Sequence, residues 1–138
     1  MDNNADIVWP THLAIYNRLT ADPALTDDVT GVYDHVPEGT AFPYITIGNV
    51  TVSRWGAHDR FGARSTVTVH VWSAFLGREE VSRLVDHLMR LLDHQPLTID
   101  GHATVSVRHE QTVMLRQTDP DVRHAAVRFA VTTELQAA

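Results

Sequence analysis

Cysteine is missing from this chain of 138 residues, and so is lysine. The first absence removes disulfides, thiolate catalysis and cysteine-ligated zinc or iron–sulfur centres. The second removes the P-loop, whose G-x-x-x-x-G-K-[ST] run needs a lysine, and no G-x-G-x-x-G occurs either. All eleven basic residues are arginines, against seventeen acids, for a net charge of −6. That sign argues against general nucleic-acid binding, whose affinity comes from neutralised phosphates. Long apolar runs are also lacking: none nears the ~20 residues that span a bilayer, so no membrane partner is expected. The opening residues, MDNNADIVWP, have neither the basic nor the apolar region of a signal peptide. The chain is expected to be made in the cytoplasm.

Signs of catalysis are equally sparse. No serine sits in a G-x-S-x-G elbow. Glu79 and Glu80 are adjacent at the start of a helical pattern, where the helix dipole favours acids. Nine histidines raise the question of a metal, but no H-E-x-x-H occurs, and His87 and His94 are seven apart. His70 and His124 approach one another only if their strands pair. Zinc needs three or four converging ligands, so no metal, no cofactor and no enzymatic activity are expected.

What is present is the pattern of one α+β domain covering 1–138, with 1–9 a polar N-terminal extension. Pro10, Leu13, Ala14, Tyr16 and Leu19 predict a helix over about 10–21, and GVY at 31–33 a minor strand. YITIGNVTVS (44–53) is a strand with Ile45 and Ile47 on one face and Val50 and Val52 on the other. Gly48, at the phase switch, suggests a bulge. STVTVHVWS (65–73) alternates cleanly, Val67, Val69 and Val71 opposing Thr66, Thr68, His70 and Trp72. Val81, Leu84, Val85, Leu88, Leu91 and Leu92 form the stripe of an amphipathic helix that Pro96 ends. LTIDGHATVSVR predicts a short strand, an Asp100-Gly101 turn and another strand, and residues 122–135 form the last one. The order α-β-β-β-α-β-β-β means a mainly antiparallel sheet with two helices packed on it.

Two places invite a partner. RWGAHDRFGAR (54–64) reads as the long tip of a hairpin arm, holding Arg54, Trp55, Asp59, Arg60, Phe61 and Arg64. Trp and Arg concentrate at the energetic centres of interfaces. Either this arm meets another chain, or Trp55 and Phe61 fold back on the sheet and close a minor core. Trp72, on the face away from the valines, poses the same choice between a second core layer and a face covered by a neighbouring subunit. Arg54, Arg60 and Arg64 have Asp27, Asp28, Asp119 or Asp121 of a neighbour as candidate partners.

Three blocks, VYDHVPEGTAFPYITIG, VTVHVWSAFLGREE and HQPLTIDGHATVSVR, resemble in their order the tail-completion or tail-terminator proteins of long-tailed bacteriophages. Tyr33, Pro37, Phe42, Pro43, Tyr44, Gly77 and Gly101 stand at matching positions and look architectural. The resemblance implies a virion protein forming a homo-oligomeric ring, usually a hexamer, at the head–tail junction. It implies tail tube protein and head-completion (stopper) protein as partners, and DNA passing through the lumen without specific binding. Two alternatives are a non-viral α+β interaction module using the same hairpin and, further off, a small hydrolase using histidine and aspartate.

Overall fold

The computed structural model describes residues 7–57 and 60–135, with side chains at all of these except 56, 57, 60, 61 and 105. Its elements are α1 (Val8–Thr20), α2 (Pro23–Thr26), β1 (Val32–Tyr33), β2 (Tyr44–Ala57), β3 (Arg60–Ser73), α3 (Glu79–Leu92), β4 (His102–Leu115) and β5 (Arg123–Leu135). The strands form one sheet in the order β1-β2-β3-β5-β4. Only β1 and β2 run parallel; the other three ladders are antiparallel. The chain is thus α+β with a mainly antiparallel sheet.

The core forms between one sheet face and the helices. Val67, Val69 and Val71 lie beside Phe129, Val127 and Ala125 in register, and all six are buried. All six residues of the apolar stripe on α3 are buried as well. Ile15 and Leu19 of α1 join the same cluster. Burial of each such aliphatic side chain stabilises the fold by about 1.5–3 kcal/mol. Arg18 ties the two helices together by donating to Leu91 O (2.9 Å) and Pro96 O (2.6 Å) at the end of α3. On the other flank of α3, Arg90 holds Asp22 at 2.7 Å and Arg83 holds Asp28 at 2.7 Å. These pairs lower both carboxyl pKa values, chiefly through the guanidinium hydrogen bonds.

The helix α1 starts at Val8, earlier than the sequence predicts, with Ile7 as its N-cap and buried in the core. Pro10 is therefore the third helical residue instead of the first, still in the first turn, where its missing N–H is one of the unpaired four. The expected bulge is present as a register shift between Ile47 and Val50. Its effect differs from the sequence reading. The inserted residue restores the phase, so Val50 and Val52 return to the helix-covered side and pack on the core.

The segment 54–64 is not a long loop. The strands β2 and β3 continue into it, paired as far as Ala57 with Arg60. Its glycines read as loop formers, but Gly62 is there for close approach. A Cβ at Gly62 would overlap the Trp55 indole opposite it. The strand expected at Leu97–Asp100 is also absent, reduced to a single bridge between Ile99 and His102. Leu97 and Ile99 bury their side chains there without a ladder. Gly101, at φ 77°, makes the expected turn, and β4 then runs on to Leu115. The observed order is α-α-β-β-β-α-β-β.

Candidate assembly interface

Strand alternation sends every second side chain away from the helices, and on this outer face the ladders align aromatic rings. Tyr44, Trp72 and His124 are direct neighbours on β2, β3 and β5. The Trp72 indole stacks on the His124 imidazole at 3.7 Å and 14°. Tyr44 follows at 6.2 Å from Trp72 and Phe42 at 5.2 Å from Tyr44, both nearly parallel. Tyr33 meets the edge of Tyr44 at 6.2 Å. Trp72 Nε1 donates to Thr46 Oγ1 at 3.1 Å, which fixes the indole's orientation. No helix covers this row, because α1 and α3 are both committed to the other side.

A hydrogen-bond chain runs through the two histidines. The Gln117 amide nitrogen lies 2.8 Å from His124 Nδ1, and His124 Nε2 lies 2.7 Å from His70 Nδ1. An amide nitrogen only donates, so His124 accepts at Nδ1 and donates from Nε2 to His70. That order requires both rings to be neutral. Desolvation lowers both pKa values; that of His124, with His70 beside it, falls to about 4. The two imidazoles bond to each other at 2.7 Å. Among the described residues no three histidine, aspartate or glutamate side chains converge.

Farther along the same face, Glu110 of β4 bridges Arg64 of β3 and Arg128 of β5, the latter at 3.1 Å. Arg64 is thus satisfied within its own chain, and Asp28 is held by Arg83 and His87. An Arg64–Asp28 pair across subunits would have to break both of these intra-chain contacts. The Trp55 indole lies against Gly62 yet stays 36% exposed. Arg54, its neighbour in β2 and opposite Ala63, is in phase with Val50 and Val52 and so points to the other side of the sheet. Asp59 and the side chains of Arg60 and Phe61 lie outside the described residues.

The matching architectural positions surround the entry to β2. The Phe42–Pro43 peptide is cis, Pro43 O accepts from Thr30 N at 2.8 Å, and Pro37 O accepts the Thr40 hydroxyl at 2.6 Å. These two hydrogen bonds hold the passage into β2, which delivers Phe42 and Tyr44 to the outer aromatic row. Gly77 lies in the passage from β3 to α3, ahead of its N-cap Arg78.

The sequence reading did not anticipate Gln117 or the exposed apolar groups at the two lateral edges of the sheet. Val8, Trp9, Leu13 and Tyr16 are exposed on α1, and Leu76, Met114 and Leu115 at the opposite edge. Their signal was present in α1, whose apolar residues exceed what one buried stripe needs.

A model of the family "Tail completion protein gp17" matches residues 13–134, from the first helix through the last strand. The chain belongs to this family of structural phage tail proteins. It is 22% identical over 119 residues to tail completion protein gp17 of Bacillus phage SPP1, covering 86% of this chain and 88% of that one. Its fold resembles a chain in the virion of the native gene transfer agent (GTA) particle, with TM-score 0.82 and 24% identity, covering 88% of this chain and 92% of that one. It also resembles the bacteriophage SPP1 gp17 structure, with TM-score 0.61 and 22% identity over 88% and 86% of the two chains. Tail completion proteins are components of the phage virion, which fits a location at the head–tail junction.

Proposed function

We propose that the chain acts as one domain and forms a ring, a hexamer, on top of the phage tail tube. The ring ends tube polymerisation and joins the tail to the head-completion (stopper) protein. DNA passes through its lumen, and the net charge of −6 suits a wall that does not grip phosphates. The observation that carries this reading is the outer sheet face. It bears a row of stacked aromatic rings that no helix covers, buried at His124, partly open at Trp72, Tyr44 and Tyr33, and exposed at Phe42. Large aromatic patches left open on a folded domain are characteristic of interaction sites. A cyclic ring also needs heterologous contacts, in which one patch meets a different patch on the next subunit.

Trp72 is the centre of the proposed contact surface, with Trp55 and Arg64 continuing it along the outer side of the β2–β3 ribbon and Arg54 on the ribbon's other side. Asp59, Arg60 and Phe61 extend it at the tip on sequence grounds. The test is electron microscopy of the purified protein with tail tubes of its phage. Annular particles or capped tubes are expected, and Trp72→Ala should abolish capping while leaving a folded chain by circular dichroism. A chain that stays monomeric and leaves tube ends bare overturns the ring.

A further inference from the structure

Two apolar patches flank the outer aromatic row at the lateral edges of the sheet, one bordering Tyr33 and the other His124 and Gln117. One is the exposed side of α1, with Val8, Trp9, Leu13 and Tyr16 between 38% and 60% exposed. It lies over β1 and β2 and shares its shallow groove with Tyr33 and Asp34. The other is a cleft of about 590 Å³ at the far side, where the β3–α3 connection faces the ends of β4 and β5. Leu76, Met114, Leu115 and Val122 supply its apolar wall, and Arg78 and Arg116 stand in its rim.

We propose that the cleft receives the exposed side of α1 from a second copy of this chain. Three observations favour that occupant. First, the patches belong to opposite edges of the sheet, α1 beside β1 and β2, the cleft beside β5 and β4. Insertion of one into the other adds subunits head to tail, the arrangement that closes into a ring. Second, both patches expose large apolar side chains, a Trp and a Tyr on one side and unbranched or aliphatic chains on the other. A protruding aromatic filling an apolar pocket is the usual centre of an interface. Third, the charges at the rims are complementary. Among the described residues Arg78 and Arg116 meet no acid, and Asp34 beside the α1 patch meets no base. Asp119, also in the cleft, is turned toward the backbone N–H of Asp121. The contact rests on the ring reading and specifies which two surfaces join.

The absence of cysteine makes a clean experiment possible. Leu13→Cys and Leu115→Cys are made as separate full-length chains, mixed with and without tail tubes, and oxidised. The expected result is a disulfide-linked dimer in the mixture that is lost when either chain is oxidised alone. The double variant should give a ladder of linked multimers. Rings seen by microscopy, with no more cross-linking in the mixture than in either chain alone, overturn this contact and leave the ring standing. A chain that neither cross-links nor forms rings on tubes overturns both.

Discussion

The two faces of the sheet obey different chemistry although they are built from the same strands. Toward the helices β3 presents Val67, Val69 and Val71, and β5 presents Ala125, Val127, Phe129 and Val131, all excluded from water. Away from them the same strands present His70, Trp72 and His124, joined by stacking and by hydrogen bonds. The first face holds the subunit together by area removed from water, which has no direction. The second is ordered by geometry: ring planes, a fixed tautomer and a shared carboxylate. Its rings are positioned at a cost, since desolvation keeps two imidazoles uncharged. A face so ordered, with no helix over it, is the one proposed above to meet other chains.

The largest effect expected from breaking this contrast lies on the covered side. Phe129 is among the largest fully buried side chains. Phe129→Ala should destabilise the chain by about 3–5 kcal/mol in urea unfolding, through lost transfer energy and the cavity left behind. The intermediate effect belongs to the outer face and is read by pH. The folded-state pKa of His124 is about 4 against an ordinary 6.5, and that of His70 is also lowered. Between these values the unfolded chain takes up protons that the folded chain refuses. Stability is therefore complete above pH ~6.5 and falls as pH drops toward ~4, by up to about 3 kcal/mol. Asp22 and Asp28, lowered from 3.8 by their arginines, lose their contribution only at more acid pH. His124→Phe keeps a ring on Trp72 and removes one titrating group, so the slope between pH 4 and 6.5 should flatten. An unchanged slope would mean the pair is not its source.

The covered face was the easier one to read from sequence. A helix that buries one side writes its contacts at every third or fourth position, and the α3 stripe from Val81 to Leu92 was legible in full. The alternation in 65–73 likewise placed Trp72 and His70 together on the other side. What no local pattern contains is which strands become neighbours. His124 reaches Trp72 only because β5 inserts between β3 and β4. The misread segments share one cause, that a residue type has more than one structural use. Gly62 looks like a loop former and serves as the floor under Trp55. Leu97 and Ile99 look like strand residues but bury themselves without pairing in a ladder. The bulge at Gly48 was foreseen, while its consequence for Val50 and Val52 depended on the register of the whole β2–β3 ladder.

The smallest effect distinguishes order from stability on the outer face. Arg64 and Arg128 share Glu110, whose side chain is 24% exposed while that of Arg64 is 50% exposed. Exposed pairs of this kind contribute at most about 1 kcal/mol, and salt screens them. Glu110→Gln should therefore shift the urea midpoint only slightly at low ionic strength and not at all in molar salt. The same substitution leaves two arginines uncompensated on the outer face, so its effect on tube capping should exceed its effect on folding. A loss of stability that persists in high salt would instead show that Glu110 acts as a core residue. The contrast between a face that folds the subunit and a face that assembles it would then fail at this position.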